Sequence, residues 1–414
     1  MTSGRLRVVA IADTDSYVKW AAALLGSRPD VVAGTLLVLE TPLVVSDAQE
    51  RAALTGSGVE GATRVGYDDL LERVREVGPD VVMLAARGPL VRVLARLVAA
   101  ALPDAVIATG LPGISVPATR KALVYRAQCD AFVLHSHREV REFTAMAIER
   151  GIAQRFALAR LPFARAAVSR DGEVRGDDLV FAAQAIVPRE RVDRLRVARM
   201  LVRAAQAHPN RRVVVKLRGV KGESQTHREY DGYPDLIASL GPVPPNLVFS
   251  TEPMGAALTR AAGLVTVSST AAVEAVAQGT PVIALDTFGV GPDLINTVFV
   301  GSGLLAGEES VIARDFRDPE AGWLEDNYFH PPADDTWLEV LGELVTARRT
   351  GFLPHRPPWP RRGGALRDAW ERKSVLGALD RSPTGRAAFV IGVPARTAVR
   401  LLRRVVHARP AARS

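Results

Sequence analysis

The chain has 414 residues, 48% of them hydrophobic and 24% charged, which excludes an intrinsically disordered protein and, by length, a single hydrophobic core. Its formal net charge is +8, yet residues 361–414 carry 13 Lys and Arg against 3 Asp and Glu, leaving 40 against 42 for residues 1–360. A near-neutral body argues against nucleic-acid binding, and the one cysteine, Cys129, excludes an intrachain disulfide and a cysteine-built zinc site.

Residues 7–12 (RVVAIA) form a continuous apolar run, and polar residues 13–16 lead into a helical stretch over 17–25. Further strands are expected at 31–39, 80–85, 104–109 and 131–134. Helices are expected at 67–77, where Leu70, Leu71, Val74 and Val77 recur at helical spacing, and at 90–102, 119–128 and up to Arg150. Residues 162–178 are polar and aperiodic and read as a linker. A second series follows, with strands at 179–183, 212–217, 247–250, 264–268 and 280–285 and helices at 189–207, 254–262 and 271–278. Strands alternating with helices predict parallel sheets covered on both faces. The fold class is therefore α/β, with two Rossmann-like domains at residues 1–165 and 179–345, followed by a Pro-rich segment and a basic helical tail over 346–414. No apolar run suits a membrane span or a secretory signal, so the chain reads as cytoplasmic.

The segment 264–286 (LVTVSSTAAVEAVAQGTPVIALD) reads as strand, Ser-Ser-Thr turn, helix, Gly-Thr-Pro turn and strand. Ser268, Ser269 and Thr270 stand where a helix begins, so their hydroxyls and the helix N–H groups suit either a phosphate or an ordinary cap. Glu274 follows one turn later and faces the same mouth. Lys216, Arg218 and Lys221 follow a strand in a long polar stretch that suits anionic phosphates or plain solvent.

These residues carry a resemblance. The run VSSTAAVEAVAQGTPVIALD resembles the donor-site segment of GT-B glycosyltransferases, especially the capsule and polysialic-acid branch and the glycerophosphate-polymer transferases. Residues 179–184 (LVFAAQ) resemble the first strand of that branch's second domain, where a Gln closes the strand. Residues 213–217 (VVVKL) fall where the branch has a strand ending in Lys-Pro-His-Pro, and the chain departs there, reading Lys216-Leu217-Arg218-Gly219 without the His. As a whole it looks most like an actinobacterial family of uncharacterised glycosyltransferases.

The resemblance implies a GT-B fold with a central cleft and donor contacts from Gln184, Lys216, Arg218, Ser268, Ser269, Thr270 and Glu274. The other domain would then face the acceptor. Asp13 or Asp15, at the end of the first strand, would serve as general base, with Ser16, Lys19, Gly110 and Gly113 as acceptor contacts. Asp13 or Ser16 equally fits a helix cap, and the 109–114 turn a plain connection. Asp13-Thr14-Asp15 also matches the Asp-x-Asp of metal-dependent transferases, but it lies at the first strand, so no metal and no cofactor is expected.

His135 and His137 lack a third ligand, and Ser136 better caps the next helix; Asp286 and Phe288 are weaker donor candidates. Residues 386–409 mix apolar positions with Arg396, Arg400, Arg403 and Arg404, a pattern that suits an anionic membrane surface or packing on the first domain. The reading is a metal-independent transferase moving a sugar from a nucleotide-activated donor to a cell-envelope or lipid-linked glycan, peripheral on the inner membrane face through residues 361–414. A sugar-nucleotide epimerase on the same double-Rossmann plan and a non-catalytic sugar-nucleotide-binding scaffold are the alternatives.

Overall fold

The structure, a computed structural model, describes residues 4–161, 164, 176–217, 231–354 and 363–392. The first series of strands is β1 (Leu6–Ala12), β2 (Val32–Leu39), β3 (Thr63–Val65), β4 (Val81–Ala85), β5 (Val106–Gly110), β6 (Ala131–Leu134) and β7 (Arg155–Leu158). They form one sheet in the order β3-β2-β1-β4-β5-β6-β7. Between them run α1 (Asp15–Leu25), α2 (Asp47–Leu54), α3 (Leu70–Val77), α4 (Gly88–Ala101), α5 (Arg120–Arg126) and α6 (His137–Glu149). Val8–Ala12 have no exposed surface, as a central strand covered on both faces requires.

The second series is β8 (Asp178–Ala182), β9 (Val213–Lys216), β10 (Leu247–Ser250), β11 (Ala261–Thr266), β12 (Val282–Leu285) and β13 (Leu305–Ala306), paired in parallel in the order β10-β9-β8-β11-β12-β13. Its helices are α7 (Arg191–Ala207), α8 (Tyr233–Ala238), α9 (Met254–Thr259), α10 (Ala271–Ala277), α11 (Glu308–Ala313), α12 (Ala321–Asp326) and α13 (Trp337–Arg349). Side chains along each strand alternate between two cores. Leu179 and Phe181 of β8 join Val213, Val215 and Ile283, whereas Val180 and Ala182 join Val214, Leu264 and Ala284. That double burial is why these strands read as unbroken apolar runs rather than alternating ones. The fold is thus α/β with two Rossmann-like halves.

Contacts divide the chain into two compact units: Met1–Gly110, Val124–Phe132 and Glu339–Ser414 form one, and Leu111–Leu123 and Val133–Leu338 the other. Near the C-terminal end, α14 (Gly364–Leu376) packs on α4 within the first unit. Leu376 has no exposed surface there, and Arg96 Nη2 lies 2.6 Å from Asp368 Oδ2. Residues 383–392 are helical; the remainder of the basic 386–409 stretch, residues 393–409, and residues 355–362 of the Pro-rich segment lie outside the described residues. No helix among the described residues is long and apolar enough to cross a membrane.

Several boundaries differ from expectation by two or three residues: α3 begins at Leu70 rather than 67, and β11 spans Ala261–Thr266 rather than 264–268. The helix expected over 254–262 ends at Thr259, because Ala261 already pairs with Asp178 in β11. Small alanines on both sides of Arg260 suit helix and strand alike, so composition carries no boundary there.

Candidate functional site

In an open α/β sheet, ligands bind beyond the carboxyl ends of the strands where the strand order reverses. The second sheet reverses between β8 and β11. Gln184 lies just past β8, and Thr266, Ser268 and Ser269 lie at the end of β11. The Gln184 side chain joins the two: its Nε2 donates to Ser268 Oγ (3.1 Å) and its Oε1 accepts from Ser268 N (3.0 Å). Ser269 N donates to Thr266 Oγ1 (3.1 Å). Buried Arg194 holds the same loop, its Nη1 donating to the Gln184 carbonyl (2.9 Å) while its guanidinium lies 4.6 Å from the Tyr233 ring centre.

Lys216 ends β9 beside this turn, and its carbonyl accepts from Ala183 N (3.0 Å). It is 7% exposed, and its Nζ donates to Leu217 O (2.6 Å). Burial pushes its pKa down, against the favourable charges of Glu252 and Glu274. Four of the expected donor residues, Gln184, Lys216, Ser268 and Glu274, therefore come together, with Glu252 added. Arg218 and Lys221 lie outside the described residues.

The capping expectation holds for one hydroxyl, that of Ser269, which accepts from Ala271 N. The N-cap of α10 is Thr270, whose side chain makes no capping bond. The first-turn N–H groups are spent inside the turn: Ala271 N on Ser269 Oγ (3.2 Å), Ala272 N on Ser269 O, and Val273 N and Glu274 N on Thr270 O. The turn thus offers hydroxyls rather than a set of open N–H groups.

The loop after β5 is fixed against this turn. A Cβ on Gly113 would lie 2.7 Å from Thr270 Cγ2, so only glycine fits that approach without displacing a neighbour. The loop is held from α6. Fully buried Glu139 accepts from Ser115 N (2.8 Å), His135 N (2.8 Å) and Tyr328 Oη (2.7 Å), and Glu142 accepts from Ala118 N (2.8 Å). Burial and the Glu139 charge push the Tyr328 pKa well above its ordinary value.

His135 sits between Ala159 O (2.5 Å) and Leu111 O (2.9 Å), and His137 Nε2 meets Asp334 Oδ2 (2.9 Å), so both histidines are occupied within the fold. Ser136 Oγ caps α6 by accepting from Glu139 N (3.1 Å). Among the described residues no three His, Cys, Asp or Glu side chains gather as metal ligands.

The first sheet reverses between β1 and β4, where Ala12 pairs with Ala85. Asp13 and Arg87 stand just beyond that pair. Asp13 has no exposed surface; Arg87 Nε donates to its Oδ2 (2.7 Å) and Arg87 N to its Oδ1 (3.3 Å). Burial pushes the Asp13 pKa up, and Arg87, then Arg126, pull it back only in part. Buried Arg126 donates to Tyr17 Oη (2.9 Å), Gly110 O (3.2 Å) and Ala86 O (3.2 Å), tying the ends of β4 and β5 to α1. Asp13 as found is a buried partner of Arg87 and offers no oxygen to an incoming hydroxyl.

Asp15, on the first turn of α1, is half-buried, and Ser16 and Lys19 are exposed on the same helix. The N-cap of α1 is Thr14 without a side-chain bond, so neither Asp13 nor Ser16 caps it. Gly110 is buried and a Cβ there would overlap Trp20, so packing requires glycine at this position. Arg87, Arg126, Arg194 and Glu139 escape a sequence reading; the only signal is an Arg or Glu just past a strand, for Arg87, or in a first helical turn, for Arg194 and Glu139, and Arg126 at the end of α5 carries none.

The family model described as "Putative glycosyltransferase (DUF6716)" matches residues 8–344. No curated protein matches the chain. Among solved structures, the chain is similar to UDP-GlcNAc 2-epimerase from Neisseria meningitidis bound to UDP-GlcNAc, at 10% identity and TM-score 0.53, over 82% of this chain and 100% of that one. It is similar to UDP-GlcNAc 2-epimerase from Methanocaldococcus jannaschii, in complex with UDP-GlcNAc and UDP, at 11% and 0.53, over 82% and 99%. It is also similar to Arabidopsis thaliana UGT89C1 complexed with UDP, at 12% and 0.51, over 84% and 100%. At such identities the likeness establishes the fold.

Proposed function

The chain belongs to the family described as "Putative glycosyltransferase (DUF6716)", and from that premise we propose that it transfers a sugar from a nucleotide-activated donor to a cell-envelope or lipid-linked glycan. The observation that carries the reading is the buried cation Lys216 beside the Gln184–Ser268 turn, at the strand-order reversal of the second sheet. A desolvated ammonium meets the charge that grows on a departing nucleotide phosphate more strongly than a solvated one. The Ser269 and Thr270 hydroxyls would add hydrogen bonds, and Glu274 would accept from donor hydroxyls. The reaction needs no metal or cofactor on this reading.

On the first sheet, half-buried Asp15 is the better-placed general base. Asp13 would act through Arg87, holding its guanidinium in place. The membrane reading draws support from the tail's carboxylates. Asp368, Glu371 and Asp380 face Arg96, Arg92 and Arg372, while Phe389, Val390 and Ile391 are exposed and the six arginines of residues 393–414 have no acidic residue among them.

Calorimetric titration with UDP-, GDP- and CMP-sugars tests the donor assignment, and UDP is the first to try because the structural neighbours were solved with it. One nucleotide class should bind, unchanged by chelator, and Lys216→Met should weaken it at least ten-fold. Silence across the panel in the wild-type protein sinks the reading. Epimerised donor without any acceptor would replace it with the epimerase.

A further inference from the structure

We propose that the cavity between α4, α5 and α14 binds a saccharide carrying one anionic group, a phosphate or a carboxylate, through Arg87 and Arg92. The cavity holds about 300 Å³, and its polar and aromatic lining is Arg87, Arg92, Tyr125, Trp370, Glu371 and Ser374. That volume suits one sugar ring with a charged substituent.

Arg87 supplies the main argument. Its Nε is committed to Asp13, while its Nη2 is buried and has no hydrogen-bond partner among the described residues. The Arg87 side chain is 34% exposed overall and lines the cavity, so its positive charge attracts an anion there. Arg92 adds a second guanidinium, placed 4.2 Å from the Tyr125 ring centre and 3.7 Å from Glu371 Oε2. Two forked cations suit the oxygens of a phosphate or carboxylate.

The aromatic walls supply the other half. Both rings are set by glycines: a Cβ on Gly88 would lie 2.7 Å from Tyr125 Cδ2, and one on Gly392 would overlap the edge of the Trp370 indole. Rings held in place present an apolar surface to a sugar face at little cost in conformational entropy. Glu371 and Ser374 can accept from sugar hydroxyls, which a bare inorganic anion lacks. Arg87 also ties this cavity to Asp13 at the strand-order reversal of the first sheet. That the bound saccharide is the transfer acceptor rests on the transferase reading; that the cavity binds it does not.

The test is titration of the full chain with glucose 1-phosphate, glucuronate, glucose and inorganic phosphate, followed by calorimetry and tryptophan fluorescence. The two charged sugars should bind, with glucose and inorganic phosphate at least ten-fold weaker. Arg92→Gln should cost the charged sugars ten-fold or more. Ser374→Phe, at an exposed rim position, fills the mouth; it should abolish their binding while leaving the thermal midpoint and UDP-sugar binding unchanged. Equal binding of all four probes, no binding of either charged sugar, or binding that survives Ser374→Phe overturns the proposal. Loss of UDP-sugar binding in the wild-type chain overturns the transferase reading alone.

Discussion

Asp13 shows how burial and pairing compete at one carboxylate. Its pKa is raised because desolvation outweighs the Arg87 pair. A raised carboxyl pKa favours the folded state at low pH, and that contribution is lost as pH rises through the folded value. At neutral pH the charge on Asp13 is therefore a burden, and Asp13→Asn should remove the fall of stability with rising pH in urea unfolding, at about 1 to 3 kcal/mol for the N–H₂ it turns toward one of the two Arg87 donors. Asp13→Ala removes the acceptor altogether and should cost about 2 to 3 kcal/mol in the same measurement. Asp15→Asn should leave stability within about 0.5 kcal/mol and lower the transfer rate 100-fold or more, if Asp15 is the base. Gly113 gives a second residue-scale prediction. Gly113→Ala should weaken donor binding by driving its Cβ into Thr270 Cγ2, and Thr270→Ser, which deletes that methyl, should restore it. Failure of the rescue in a titration would separate Gly113 from the α10 turn.

At the scale of elements, one buried carboxylate on α6 holds a loop that follows β5. Glu139 satisfies Ser115 N, His135 N and the Tyr328 hydroxyl at once. Glu139→Gln keeps the shape but turns an N–H₂ toward at least one of these donors, at about 1 to 3 kcal/mol for a buried mismatch. Hydrogen exchange should then quicken at Ser115 and Ala118 before it does in β1 or β4; uniform exchange would show that Glu139 does not pin the loop. This element is also where the sequence falls silent. Strands β1, β4, β5 and β8 are legible because burial on two faces demands unbroken apolar runs. Three-residue β3 and two-residue β13 are too short for any period, and charged α2 shows itself only through its Ser46–Gln49 capping box. Gln184, Ser268 and Lys216 are legible as polar residues at strand ends. Arg87, Arg126 and Glu139 are not, since their partners Asp13, Tyr17 and Tyr328 lie 74, 109 and 189 residues away along the chain.

For the whole molecule, the +8 charge divides into a neutral body and a basic end, and that end itself has two parts with different physics. The first is docked. Leu376 enters the core with Leu90, Leu94 and Cys129, and Arg96–Asp368 and Arg92–Glu371 flank it. Losing a buried leucine costs about 2 to 5 kcal/mol, while partly exposed ion pairs add under about 1 kcal/mol each. A chain ending at residue 354 should therefore unfold roughly 10 °C lower, which differential scanning calorimetry reads directly. The second part, residues 393–414, brings six arginines and no carboxylate. Every docking contact named above lies before it, so a chain ending at residue 392 should keep its thermal midpoint. It should lose flotation on vesicles containing anionic lipid, and the loss should be mirrored in wild-type protein by raising the salt, because screening weakens arginine–headgroup attraction but leaves the Leu376 packing untouched. Flotation that survives the cut at 392 but not at 354 would move the membrane contact to the exposed Phe389, Val390 and Ile391 and make it hydrophobic rather than electrostatic.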